Sequence, residues 1–108
     1  MADLERLKKE IRRRLAPLRP KKVILFGSYA HGTQRSDSDI DLYVVTEDDF
    51  IPETFEQKNA IYLKVARAIR DLRKEVAIDL IVHTKKMYEQ ASQRSFVRDE
   101  IARGVELL

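Results

Sequence analysis

Three aspartates of this sequence lie where their side chains could share a metal ion. Asp39 and Asp41 are separated by one residue within DIDLYVV, and Asp79 lies within VAIDLIVH. Both stretches are apolar and rich in β-branched residues, which is typical of buried strands. Because residues two apart on a strand project from the same face, the first two carboxylates are predicted to lie side by side. Asp79 can join them if the two strands are neighbours.

Carboxylate oxygens are the ligands that hard divalent cations prefer. The chain has no cysteine and two histidines, so an oxygen-ligated Mg²⁺ or Mn²⁺ is the natural candidate and a thiolate site is excluded. Three carboxylates on one face of a sheet could hold two such ions. A pair of ions can stabilise both the attacking and the leaving oxygen of a phosphoryl transfer.

A turn that could bind phosphate lies just before the first two aspartates. In VILFGSYAHG, Gly27 and Ser28 end an apolar strand and open a short helical turn, SYAHG. The free N–H groups and the positive dipole end of such a turn attract an anion. Gly27 allows the backbone to approach closely, and the hydroxyl of Ser28 adds a donor. A strand, an anion-binding turn and a metal-binding strand together predict a site for a nucleoside triphosphate.

Two other motifs fail on this segment. A P-loop needs Gly-Lys followed by Ser or Thr, whereas here the sequence reads GTQ. An EF-hand loop starting at Asp37 would need glycine where Leu42 lies. Taken singly, the aspartates also fit structural roles, as an acidic turn with one strand-edge carboxylate and, for Asp79, as the partner of an arginine. Their combination with Gly27 and Ser28 favours the nucleotide site.

Helices and strands that would position these residues follow from the apolar spacing. The predicted order is αβ(α)βαβα, an α/β domain in which helices pack on a small mixed sheet. The apolar stripe of the central helix comprises Phe55, Tyr62, Val65, Ile69 and Leu72, and that of the last helix comprises Val97, Ile101, Val105 and Leu108. The first predicted helix runs from residue 3 to about 16 and is ended by Pro17 and Pro20. The central helix runs from Pro52 to about Lys74, a short helix covers 85–92, and the last helix carries the second apolar stripe. The strands are KVILF, DIDLYVV and VAIDLIVH.

Length and composition indicate one globular domain over residues 1–108. The chain is 44% apolar and 36% charged, with a net charge of +3. This mild excess does not indicate a nucleic-acid partner, and we read the basic run KKEIRRR as a solvated helix face in preference to an RNA contact. The N-terminus has no apolar leader, and no apolar run is long enough to span a bilayer, so a cytoplasmic protein without a membrane partner is expected.

At these residues the sequence resembles the DNA polymerase β-type nucleotidyltransferases, and in particular their smallest members, the minimal nucleotidyltransferases. The pattern there is an apolar strand, Gly-Ser, about ten residues, Asp-x-Asp, and a third carboxylate on a later strand. Here it reads ILFGSYAHGTQRSDSDIDLYVV, with AIDLIV downstream, and the resemblance covers essentially the whole chain. It implies the polymerase β-like nucleotidyltransferase fold. His31 departs from the pattern, because related sequences often carry arginine there.

The resemblance implies a role for each residue of the motif. Asp39, Asp41 and Asp79 would bind two Mg²⁺ or Mn²⁺ ions, with Asp79 serving also as general base towards the acceptor hydroxyl. Gly27 and Ser28 would bind the β- and γ-phosphates of ATP. Asp37 would lie in the loop outside the metal site. His83, four residues from Asp79 and roughly 13 Å along the strand, is not expected to be a ligand.

The resemblance also implies a partner. Such small proteins are commonly paired with a helical HEPN protein, and the nucleotidyltransferase is then the antitoxin, which transfers AMP to a tyrosine of the HEPN ribonuclease. The expected activity is transfer of a nucleoside monophosphate, AMP from ATP, to a hydroxyl on a partner protein. The alternative is a non-catalytic nucleotide-binding protein that neutralises a partner by complex formation. A domain this short has no second lobe for an acceptor, so a homo-oligomer also remains open.

Overall fold

A computed structural model describes residues 4–27, 40–91 and 103–108. Three α-helices pack on a four-stranded mixed sheet, which confirms the predicted α/β class. The order along the chain is α1 (Leu4–Leu15), β1 (Lys22–Phe26), β2 (Ile40–Val45), α2 (Phe55–Ala68), β3 (Ile78–His83), α3 (Lys85–Ala91) and β4 (Val105–Glu106), with short 3₁₀ helices at Ala16–Leu18 and Leu72–Lys74. The predicted short helix at SYAHG lies outside the described residues.

The sheet has the spatial order β3-β2-β1-β4. Strand β1 runs antiparallel to β2 and to β4, whereas β2 and β3 are parallel. Two parallel neighbours need a long crossover, and α2 supplies it. The carboxyl end of β1 and the amino ends of β2 and β3 therefore lie at the same end of the sheet. The predicted site residues lie at this end.

The strands alternate between two apolar clusters, as their sequence pattern predicts. On one face, Ile40, Leu42 and Val44 of β2 pack with residues of α1 and α2, among them Leu7 and Val65. The other face carries a smaller cluster, in which buried side chains of the strands meet α3. Its members are Ile24, Phe26, Tyr43, Val45 and Ala91, with Ile81 and Tyr88 packed against them. Asp41 and Asp79 belong to this second face by the same alternation.

Helix α2 begins later than Pro52 and ends before Lys74. Thr54 is its N-cap, and its hydroxyl accepts a hydrogen bond from the N–H of Gln57 at 3.1 Å. A side-chain cap of this kind satisfies a donor that a helix begun at Pro52 would leave open. Phe55 was predicted in the apolar stripe, but its side chain, in the first turn of α2, is 77% exposed.

The end of the chain differs from the prediction. Val105 and Glu106 form β4 against Ile24 and Leu25 of β1, where the apolar spacing predicted a helix. Gly104 disfavours a helix there. Pairing with β1 satisfies the backbone, and the N–H of the buried Leu107 donates to the carbonyl of Val23 at 2.7 Å. The rest of that predicted helix, residues 92–102, lies outside the described part of the chain.

No helix within the described residues is both long and apolar enough to pass through a membrane.

Candidate active site

Asp41 and Asp79 lie opposite each other on neighbouring strands. The parallel register of β2 and β3 pairs these two residues, and the antiparallel register of β1 and β2 pairs Phe26 with Asp41. Adjacent strands are about 4.8 Å apart, and in-register residues project from the same face. The condition set by the sequence, that the two strands be neighbours, is therefore met. Asp41 is half-buried and Asp79 is exposed, so the pair opens towards solvent.

Gly27 forms a wall of this site because it has no side chain. Its φ is +77°, in the region that favours glycine. A Cβ built on Gly27 would overlap the carboxylate of Asp41 and would lie 3.0 Å from its Cγ. The carboxylate of Asp41 thus occupies the space that any other residue at position 27 would fill. The predicted turn glycine and the predicted metal ligand are in direct contact.

Asp39 and Ser28 lie outside the described residues, as do Asp37 and His31, and their roles stay predictions. Within residues 4–27, 40–91 and 103–108, no three His, Cys, Asp or Glu side chains are grouped as a metal site would require. The two predicted ligands inside those ranges are the facing pair, Asp41 and Asp79. Their hard oxygen donors, on one face and open to solvent, fit a divalent cation such as Mg²⁺ or Mn²⁺.

Tyr43 and His83 follow the two aspartates along the same face. Tyr43 is fully buried, and its hydroxyl lies 2.7 Å from Nδ1 of His83, with the two rings edge to face. Burial raises the pKa of Tyr43 well above its usual range, so the phenol is neutral and can donate to the imidazole. His83 is thus engaged by Tyr43 at the end of the strand distant from Asp79.

Sequence reasoning missed a groove beside the site. It has a volume of about 360 Å³ and is lined on one side by residues 80–83 of β3. Its other wall is a stripe of α2 that consists of Phe55, Lys58, Asn59 and Tyr62. The signal available in the sequence was Phe55 itself, an aromatic residue directly after a helix cap. Such a position seldom reaches the core, so its large apolar side chain suggests a surface role.

A polar cluster after β2 helps to position α2. The carboxylate of Asp48 accepts hydrogen bonds from the hydroxyl of Thr46 at 2.7 Å and from Nζ of Lys64 on α2 at 3.2 Å. Partial burial alone would raise the pKa of Asp48, but the hydrogen bonds from Thr46 and Lys64 outweigh it and lower that pKa below its ordinary value. The Asp48 carbonyl also accepts from the N–H of Lys85, the first residue of α3. The loop is thereby joined to two helices.

Comparison with known proteins gives one family. The sequence matches the family described as "Nucleotidyltransferase domain" over residues 4–103. It is 33% identical over 86 residues to "Putative protein adenylyltransferase MJ0604" of Methanocaldococcus jannaschii, a match that covers 80% of this chain and 76% of that protein.

Two solved structures share the fold. One is a crystal structure of a toxin-antitoxin with AMP-PNP, at 23% identity and a TM-score of 0.51. The other is a mutant of the toxin-antitoxin MntA-HpeT, at 21% identity and a TM-score of 0.53. Each match covers 94% of this chain and 72% of the other. At these identities the likeness concerns the fold.

Proposed function

The chain belongs to the nucleotidyltransferase domain family, and we propose that it transfers AMP from ATP to a hydroxyl on a partner protein in a reaction that depends on Mg²⁺ or Mn²⁺. The observation that carries this proposal is the facing pair, Asp41 and Asp79, closed on one side by Gly27. Two carboxylates at one end of a sheet, directly beside a glycine with positive φ, fit the binding of a metal-complexed triphosphate.

Each residue of the motif has a distinct part in the proposed reaction. Asp39, Asp41 and Asp79 would hold the ions, which when bound would supply the positive charge that neutralises the triphosphate. Gly27 and Ser28 orient the β- and γ-phosphates. Asp79, the more exposed of the facing pair, accepts the proton of the acceptor hydroxyl.

The proposed step is an in-line displacement at the α-phosphorus. The acceptor oxygen forms a bond to that phosphorus while the bond from phosphorus to the bridging oxygen of the leaving group breaks. The electron pair of the broken bond leaves with pyrophosphate, and the proton passes to Asp79. Positioning of the two oxygens and neutralisation of charge account for most of the catalysis in reactions of this class.

The comparisons support the kind of partner. The curated relative is named a protein adenylyltransferase, and both structural neighbours are toxin-antitoxin structures, one of them with AMP-PNP. We therefore propose that the acceptor is a toxin, that it is a helical protein of the HEPN type, and that this chain is the antitoxin.

The test is transfer of label from α-labelled ATP, GTP, CTP or UTP, with Mg²⁺, to the protein encoded beside this one. Wild type is expected to label that protein and Asp79→Ala to leave it unlabelled. Asp71→Ala is the matched control, because Asp71 is an exposed aspartate that makes no cap hydrogen bond and lies outside the strands of the sheet. Tight binding of the two proteins without transfer of label from any nucleotide would refute the enzyme and leave the interaction protein.

Neutralisation itself is tested in cells. If transfer is the means of protection, the double variant Asp39→Ala with Asp41→Ala no longer protects cells from the toxin, although it still folds. Protection equal to that by wild type would show that binding alone neutralises the toxin.

A further inference from the structure

The groove between β3 and α2 has the dimensions of a binding site for an extended segment. Its β3 wall, residues 80–83, spans about 10 Å at the rise of a strand. The α2 wall from Phe55 to Tyr62 spans about 10 Å at the rise of a helix. Each wall therefore has the length of three to four extended residues, which is the length over which a short added strand makes contact.

The open edge of β3 offers the backbone groups that an added strand needs. In the described part of the chain, β3 has a neighbour on one side, β2. The carbonyls of Ala77 and His83 accept from the N–H groups of Ile40 and Thr46, so odd-numbered residues of β3 direct their backbone groups towards β2. Backbone groups alternate in direction along a strand, so those of Leu80 and Val82 point to the open edge.

Strand β3 lacks three features that commonly keep sheet edges from pairing. Natural edge strands are commonly protected by lysine, proline or bulges, whereas β3 reads IDLIVH and pairs with β2 in unbroken register. Beside it, Phe55 is 77% exposed. A regular apolar edge next to an exposed aromatic side chain is the surface of an interaction site.

The charge and polarity of the groove indicate which side chains a bound segment would carry. Its described lining contains Lys58 and no carboxylate, with an apolar stretch formed by Phe55 and Tyr62. Asp79 directly precedes the lining residue Leu80 on the same strand, so the groove begins next to the candidate active site. A segment that combines apolar and acidic side chains complements this wall.

We infer that the hydroxyl-bearing segment of the acceptor protein binds as an added strand along the open edge of β3, with its hydroxyl side chain beside Asp79 and its apolar and acidic neighbours against α2. This inference rests on the proposed function, for which it supplies the acceptor-binding surface. The acceptor is a peptide segment in extended conformation.

The two faces of β3 fix the spacing within that segment. Asp79, Ile81 and His83 project from one face, whereas Leu80 and Val82 pack in the cluster that contains α2. The acceptor residue whose hydroxyl lies beside Asp79 projects from the first face. Acceptor residues one or three positions away from it therefore project from the other face, towards α2. The apolar and acidic side chains of the acceptor therefore occur at odd spacing from the modified residue.

The first test uses a capped heptapeptide, Glu-Thr-Val-Tyr-Val-Thr-Glu, which satisfies this spacing in either direction of pairing. Amide hydrogen exchange of the ¹⁵N-labelled full chain is measured with and without saturating peptide. Exchange at Leu80 and Val82 is expected to slow by about tenfold or more, because strand addition protects these N–H groups. The N–H of Ile81, which points to β2, serves as the internal reference. The same peptide N-methylated at all five residues from Thr to Thr is expected to give no protection, because these include the N–H groups that face β3 in either direction of pairing.

The second test uses substitutions of exposed residues, each with a matched control, and one substitution in β3. Phe55→Ser is expected to weaken peptide binding by about fivefold to tenfold, as loss of an aromatic anchor does, whereas the matched control Phe50→Ser is expected to have no effect, because Phe50 is exposed outside the groove lining. Lys58→Glu is expected to weaken binding and Lys9→Glu, on the exposed surface of α1, to leave it unchanged. Val82→Pro removes one outward N–H at a position where an edge strand tolerates proline.

The outcomes separate this inference from the proposed function. Protection of Leu80 and Val82 without transfer of AMP to any acceptor would support the surface and refute the enzyme. Transfer of AMP to the partner with unchanged KM in Phe55→Ser and Val82→Pro would support the enzyme and refute the surface. Failure of the peptide to bind, or equal protection by the N-methylated peptide, would also overturn the inference.

Discussion

Substitution of Gly27 by alanine tests the geometry of the candidate site most directly. An L-residue held at positive φ costs about 1–2 kcal/mol, and the φ of Gly27 is +77°. The added Cβ would also overlap the carboxylate of Asp41. Overpacking of this kind costs about 1–3 kcal/mol, and the lower half applies because a carboxylate can rotate away. The free energy of unfolding is therefore expected to fall by about 2–4 kcal/mol.

Equilibrium unfolding in urea, with Gly104→Ala as the control glycine, measures that loss. A double-mutant cycle with Asp41→Ala separates the two causes, since removal of the carboxylate relieves the overlap and leaves the backbone strain. The double variant is expected to be more stable than the sum of the single effects by about 1 kcal/mol or more. Strict additivity would show that Gly27 and Asp41 are not in contact, and an unchanged midpoint for Gly27→Ala would refute the reasoning altogether.

The same substitution should impair nucleotide transfer beyond its effect on stability. A carboxylate displaced by about 1 Å can cost on the order of a hundredfold in rate. Below the unfolding transition, Gly27→Ala is therefore expected to lose most of its transfer activity while it remains folded. Full activity in the folded variant would mean that the position of Asp41 does not matter for the reaction.

Three further substitutions give independent checks. Asp79→Asn is expected to raise stability by roughly 0.2–1 kcal/mol without divalent ions, because it removes a like charge opposite Asp41, and to abolish thermal stabilisation by Mg²⁺; a lower melting temperature without ions would contradict this. Asp48→Asn removes the contact with Lys64 and should cost about 0.5–1 kcal/mol at neutral pH. Because the pKa of Asp48 is lowered on folding, this stability is present above its unfolded value and is lost as pH falls through the folded pKa, so urea midpoints of variant and wild type should converge in acid. Thr54→Ala removes the N-cap of α2 and should lower the free energy of unfolding by about 1 kcal/mol, measured in urea.

Most of the fold followed from the spacing of apolar residues. Helix α1 and the three long strands lie within one or two residues of their predicted bounds, because each buries a regular face against the sheet or the helices. The end of the chain could not be predicted in this way. The spacing of Val105 and Leu108 fits a helix locally, and the free edge of β1 that favours a strand there is set by residues far away in the sequence.

The candidate site, too, could be predicted from the sequence only in part. The spacing within the second strand was enough to predict that Asp41 faces away from the main core. The pairing of Asp41 with Asp79 depended on the two strands being parallel neighbours, which a crossover through one helix favours but does not determine. The contact between Gly27 and Asp41 depends on the antiparallel partner strand, and the groove beside Phe55 depends on where α2 crosses the sheet edge. Such features arise from tertiary structure and leave little trace in local sequence.

The free energy of folding gives a further reason to regard the site at Asp41 and Asp79 as a binding site. Two aspartates opposite each other on neighbouring strands reduce stability, and a domain of 108 residues buries only a modest core. A ligand that binds only the folded protein raises its stability by RT ln(1 + [L]/Kd), where [L] is the free ligand concentration. A divalent cation would be held by the very carboxylates whose repulsion it relieves. Stability of the wild type should therefore rise with Mg²⁺ and nucleotide together, and the rise should depend on Asp41 and Asp79.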